Sequence, residues 1–246
     1  MTFLSQKINL EFPFQFGSYH IHIWGKPENL YRDDKTIDLN TNEIIDTQYQ
    51  ELKKYYFDNL GLNLLTLNQV HGKNTLDLDN ETTPYPDADS FFTRNINLAL
   101  AIKTADCVPI MFYHPEKIFF GAIHAGWRGL KLEILKSTLS QIKNDLELDH
   151  EKTNLIIGPH ISAQNYETSE DVFCQFDENL SHSIPGSDKR NLDLCNIIKQ
   201  QFSNENIISN RTIYLNHNTY KSSNFFSHRA ADKGRNFNII FFKNPS

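Results

Sequence analysis

CVPIMFYHPEKIFFGAIHAGWRG, residues 107–129, carries the clearest hairpin pattern in the chain. Two apolar runs, 108–114 and 118–124, flank His114-Pro115-Glu116-Lys117 and read as an antiparallel hairpin. A turn centred between Pro115 and Glu116 sets Cys107 directly opposite His124. Directly opposed residues share a face, with Cβ atoms ~4.5–5.5 Å apart. A thiolate at ~2.3 Å and an imidazole nitrogen at ~2.0 Å from one zinc ion span that gap. Pro115 does not suit the primed turns of two-residue hairpins, so the pairing depends on a symmetric loop.

Beyond Gly129 the periodicity changes. Leu135, Leu139, Ile142 and Leu146 fall on one helical stripe. LIIGP (155–159) reads as a short strand broken at Gly158-Pro159, and 193–202 as a helix. IISNRTIYL (207–215) and NFNIIFF (236–242) read as strands. Upstream, FFTR (91–94) and LALAIKT (98–104) are strand-like, and NETTPYPDAD (80–89) is a loop rich in turn formers. LNLLTLNQVHG (62–72) reads as a strand running into His71. TQYQELKKYYFDNL (47–60) reads as a helix closed by Gly61. The alternation of Phe12, Phe14, Phe16 and of Tyr19, Ile21, Ile23 predicts two more strands. Helices and strands mix without strict alternation. The class is therefore α/β, a mixed-sheet sandwich and not a parallel βαβ array. With no linker in view, residues 1–246 are expected to form a single domain.

Composition narrows the function. Lys and Arg total 24 against 30 for Asp and Glu, a net charge of −6, which gives no general attraction to nucleic acid or anionic membranes. An anionic ligand would need a local cationic pocket. The opening MTFLSQKINLEFPF lacks the apolar core of a signal peptide, and no stretch approaches the ~20 apolar residues of a membrane span. Three cysteines (Cys107, Cys174, Cys195) do not make a disulfide framework, so reduced thiols in the cytoplasm are expected.

His71, just before Gly72, is the third candidate ligand beside Cys107 and His124. Three N and S ligands with a fourth position open describe a catalytic zinc site. The same set suits copper, but that pattern usually has an axial Met, and this chain has only Met1 and Met111. A metal-free alternative is Cys107 as nucleophile with a histidine base. His124-Ala125-Gly126-Trp127-Arg128-Gly129 lies at a strand-to-helix turn, where free N–H groups favour anions and Arg128 adds bidentate donors. Arg229 is a second candidate anion binder. Asp106 is a candidate to orient a histidine or accept a proton. Asp87 and Asp89 read as loop carboxylates near the site or as turn formers, and the loop context favours turn formers.

Gln69-Val70-His71-Gly72, Thr104-Ala105-Asp106-Cys107-Val108-Pro109 and His124–Gly129 resemble, in order and spacing, motifs of the YfiH/YlmD-like family. That family is also called the laccase-domain or polyphenol oxidase family, and the peptidoglycan editing factor group belongs to it. Ala88-Asp89, Ile157-Gly158-Pro159, Tyr166-Glu167, Leu192-Asp193-Leu194 and Phe225–Arg229 extend the likeness, which runs from about Leu62 to Phe242. The resemblance implies two central sheets flanked by helices. It also implies zinc on His71, Cys107 and His124. The implied activity is phosphorolysis of adenosine, inosine and methylthioadenosine, with adenosine deamination. Copper-dependent phenol oxidation and a cysteine hydrolase or amidase acting on peptidoglycan precursors are the alternatives. The partners expected are purine nucleosides and phosphate, with Arg128, Arg229 and Asp106 as substrate-binding residues. Two stretches depart from the family pattern. Its Arg-Gly-Gly motif is replaced by Tyr19–Gly25, and its Arg-Asp-Gly stretch by Arg229–Arg235.

Overall fold

The computed structural model describes residues 4–27, 41–81, 86–146, 152–206 and 209–245. At its centre is the hairpin of β7 (Val108–Tyr113) and β8 (Phe120–Ala125). The turn centres one residue later than expected, between Glu116 and Lys117. The ladder continues past Tyr113–Phe120 through a His114 N–H to Phe119 carbonyl bond of 3.0 Å. The loop is therefore the four residues Pro115–Ile118, consistent with a proline that disfavours a two-residue primed turn. Tyr19, from another sheet, pins it: its hydroxyl donates to the Lys117 carbonyl at 2.8 Å and accepts the Phe119 N–H at 3.2 Å. His124 consequently faces Pro109, not Cys107. The shift moves the pairing by two positions, so side-chain parity is kept. Cys107 and His124 still share a face, as diagonal neighbours.

This hairpin sits inside a six-stranded mixed sheet. Its order is β13 (Thr212–Tyr214), β9 (Asn154–Ile157), β7, β8, β5 (Ser90–Thr93) and β4 (Thr75–Asp77). A five-stranded sheet runs β1 (Ser5–Phe14), β2 (Gly17–Gly25), β14 (Asn236–Lys243), β6 (Leu98–Thr104) and β3 (Asn63–Thr66). A small third sheet joins β10 (Glu167–Thr168), β12 (Arg190–Leu192) and β11 (Ser181–Ser183).

Alternation along the strands builds three cores. Met111, Phe120, Ala122 and Ile156 face Tyr19, Ile21, Leu100 and Ile240 between the two large sheets. Ile110, Phe112, Ile123 and Ile157 pack on the other side against α3 (Ile134–Leu146) and α5 (Leu194–Asn204). Leu135, Leu139 and Ile142 form the buried stripe of α3, while the side chain of Leu146 lies outside the described residues. Ala99, Ala101, Phe237 and Ile239 pack against Leu52 and Tyr56 of α1 (Thr41–Leu60). The result is a layered sandwich of two sheets flanked by helices. α1 begins six residues before the periodic stretch and ends as expected at Gly61. That glycine adopts φ +67° and donates to the Phe57 carbonyl at 3.0 Å. Among the described residues no helix is long and apolar enough to cross a membrane.

His22 on β2 is buried against α1. Trp24 Nε1 donates to the Tyr56 hydroxyl at 3.2 Å, and that hydroxyl donates on to His22 Nδ1 at 2.8 Å. Burial, with His20 nearby, pushes the His22 imidazole down to about 4. The unfolded chain takes up this proton near 6.5 and the folded chain does not, so stability is full above 6.5 and falls as pH drops toward 4. Urea unfolding between pH 7 and pH 4 is expected to show this loss, reduced by about 3 kcal/mol in His22→Gln.

Candidate metal centre

His71 is not at the end of a strand. β3 stops at Thr66, and His71 lies in the following loop with φ +60°. A left-handed backbone in a histidine costs on the order of 1–3 kcal/mol and persists only where neighbours enforce it. Asp89 enforces it here. One carboxylate oxygen accepts the His71 N–H at 2.9 Å, and the other accepts those of Val70 at 3.1 Å and Gly72 at 2.6 Å. Gln69 fastens the same loop to β6. Its amide donates to the Lys103 carbonyl at 2.8 Å and accepts the Lys103 N–H at 2.9 Å.

The same Asp89 oxygen that holds His71 accepts His124 Nδ1 at 2.7 Å. That bond leaves Nε2 of His124 free for the centre. Asp89 is therefore a fully buried anchor and not the turn former that its loop context suggests. Asp87 does behave as a loop residue, accepting from Asn68 at 2.7 Å. Asp106 does not orient a histidine. It is buried with φ +94°, and its two oxygens accept the Thr219 hydroxyl and the Arg229 N–H, each at 2.7 Å. It fastens the 219–229 segment to the start of β7.

The donor atoms of His71, Cys107 and His124 all lie within 4.8 Å of one another. Their rings cross nearly edge to face, the His71 and His124 centroids 4.8 Å apart. Tetrahedral zinc needs donor separations of about 3.3–3.6 Å, which small side-chain movements supply. Burial opposes ionisation of the Cys107 thiol. The His124 charge and hydrogen bonds with His124 and His71 overcome it, so the thiol is held below its ordinary range. Two imidazoles around a ready thiolate form a donor set suited to a borderline-soft divalent ion. Gly126 makes the approach possible. A Cβ there would lie 2.9 Å from Cys107 Sγ and 3.1 Å from the His71 ring.

The centre opens into a cavity of about 550 Å³. Arg128 and Arg229 both line it. The Arg128 guanidinium lies 4.5 Å from the Trp127 ring centre, and that of Arg229 lies 5.4 Å from Tyr166. Arg229 also donates to the Glu167 carbonyl at 2.8 Å. The lining also includes Lys103, which the sequence reading did not single out, Tyr166 of the Tyr166-Glu167 motif, and Arg235 at the end of the departing stretch Arg229–Arg235. Arg235 stands immediately before a readable strand, and Lys103 interrupts the apolar run LALAIKT. Those two breaks were the available signals.

Residues 41–243 match a family described as multi-copper polyphenol oxidoreductase laccase. A purine nucleoside phosphorylase of Clostridium acetobutylicum is 30% identical over 180 residues, covering 72% of this chain and 76% of that protein. One from Rickettsia conorii is 33% identical over 138 residues, 55% of each. The fold resembles that of YfiH from Bacillus licheniformis, with a TM-score of 0.75 at 22% identity over 91% of this chain and 93% of that one.

Removing the Asp89 charge should loosen His71 and His124 together. Asp89→Asn is expected to weaken zinc affinity by about 10–100-fold, read by competition with a chromophoric chelator. Asp87→Asn is the control that leaves affinity unchanged.

Proposed function

The chain belongs to the multi-copper polyphenol oxidoreductase laccase family, and from that premise we propose that it is a zinc-dependent purine nucleoside phosphorylase. The observation that carries the proposal is the His71–Cys107–His124 cluster opening into a cavity flanked by Arg128 and Arg229. The names of the relatives in Clostridium and Rickettsia support the reaction. Adenosine, inosine and methylthioadenosine are the proposed substrates, with adenosine deamination as a second activity. Residues 1–246 are proposed to act as one domain. The cytoplasm is the proposed compartment, in keeping with cysteines that are all free.

His71, Cys107 and His124 would hold the metal. When bound, zinc would supply Lewis-acid chemistry beside the cavity. Arg128 and Arg229, each steadied over an aromatic ring, would orient phosphate and neutralise its charge. A phosphate oxygen then attacks the anomeric ribose carbon as the bond to the purine nitrogen breaks. The purine leaves with that electron pair and takes up a proton. The Asp106 carboxylate is committed to Thr219 and to the Arg229 backbone. Its part is to position Arg229 rather than to carry protons.

A copper oxidase is the second reading, favoured by the family description and the His-Cys-His donor set. Against it, no methionine among the described residues lines the cavity. A cysteine hydrolase is favoured by the lowered Cys107 thiol beside His124. Metal analysis separates the first reading. Activity of Cys107→Ser compared with chelator-treated protein separates the second.

Adenosine incubated with protein of known zinc content should release adenine and ribose 1-phosphate only when phosphate is present. Chelation should abolish this, and Arg128→Gln should raise the KM for phosphate by about tenfold. Zinc-loaded protein that yields no ribose 1-phosphate would contradict the proposal.

A further inference from the structure

The proposed phosphate site uses only part of the positive charge in the cavity. Arg229 lies over Tyr166 and Arg128 over Trp127. Lys103 and Arg235 belong instead to the five-stranded sheet. Lys103 pairs with Phe237 across β6 and β14, and Arg235 immediately precedes β14. Alternation puts both on the face of that sheet covered by α1, beside the cavity-lining Ile45. Their backbones are fixed. Gln69 clamps Lys103 on both sides, and Gln48 accepts the Arg235 N–H at 3.1 Å.

Neither cation forms an ion pair among the described residues. The Arg235 guanidinium donates to the Gly234 carbonyl at 2.8 Å, and the nearby Asp106 carboxylate is taken by Thr219 and Arg229. Two like charges held half out of water repel each other. Burial, with Arg235 adding to it, pushes the Lys103 amine below its ordinary range. A bound anion would relieve this repulsion and satisfy donors already in position. A chain of net charge −6 that gathers such a pair in its cavity has a local use for it.

We infer that Lys103 and Arg235 form a second anion subsite, for a phosphate dianion, distinct from the Arg128–Arg229 pair. The inference rests on the nucleoside reading only for the identity of the larger ligand. The dianion has two possible sources, inorganic phosphate or a 5′-phosphoryl group carried by the nucleoside.

Calorimetric titration of the full chain with inorganic phosphate, adenosine and adenosine 5′-monophosphate tests it. Lys103→Gln and Arg235→Gln should each weaken at least one anion by about tenfold or more, with adenosine unchanged. Lys103→Arg, which keeps the charge, should retain the affinity. Loss of a phosphate site identifies inorganic phosphate as the source, and a loss confined to the monophosphate identifies a nucleotide. Anion affinities that are unchanged in both Gln variants, or wild-type protein that binds neither anion, overturn the subsite. If adenosine and its monophosphate both fail to bind, the nucleoside reading falls while the phosphate titration still decides the subsite. Two independent Gln variants, each checked by thermal unfolding, keep the result readable if one does not fold.

Discussion

The Asp89 carboxylate is shut away from water, and among the described residues no permanently charged cation is hydrogen-bonded to it. Its desolvation must be offset by the groups that donate to it: three successive backbone N–H groups, from Val70 to Gly72, and the His124 ring. These contacts do three things at once. They hold His71 in a left-handed conformation, fix which nitrogen of His124 faces inward, and join a loop leaving one sheet to a strand of the other. Metal ligands drawn from remote parts of the chain need such a common origin, because a displacement of even an ångström spoils a coordination shell.

Much of the fold was legible in local patterns. The hairpin, the α3 stripe, the Gly61 stop and the last strand each carry their signal within a few residues. The turn position was misread because Pro115 tolerates more than one loop length, yet the face shared by Cys107 and His124 survived, since parity outlasts a two-position shift. The anchoring role of Asp89 was not legible, although Ala88-Asp89 forms part of the family likeness. Its partners are backbone groups of a loop 17–19 residues earlier, and no spacing rule links a carboxylate to N–H groups that every sequence possesses. The strand expected to reach His71 failed for a related reason. LNLLTLNQVHG is apolar enough to be a strand, but after Thr66 the Gln69 side chain bonds the Lys103 backbone and Asp89 takes the N–H groups of Val70, His71 and Gly72.

The cavity shows how a net-acidic chain presents positive charge. Arg128 and Arg229 are held by aromatic rings, Lys103 and Arg235 by backbone clamps, and the Asp106 carboxylate beside them is occupied by neutral donors. The two arginines set over rings lose little freedom on meeting an anion, which favours selective binding over general stickiness.

The position of β14 bears on how the molecule is made. It is the last strand in sequence, yet it lies between β2 and β6 at the middle of its sheet and supplies residues to the cores on both faces. A ribosome delivers the flanking strands long before the one that joins them. Until residues 236–243 emerge, β2 and β6 have exposed edges and the sandwich lacks its keystone. Completion of this sheet therefore waits for residues 236–243, and a nascent chain of this design depends on whatever shields those edges in the interval.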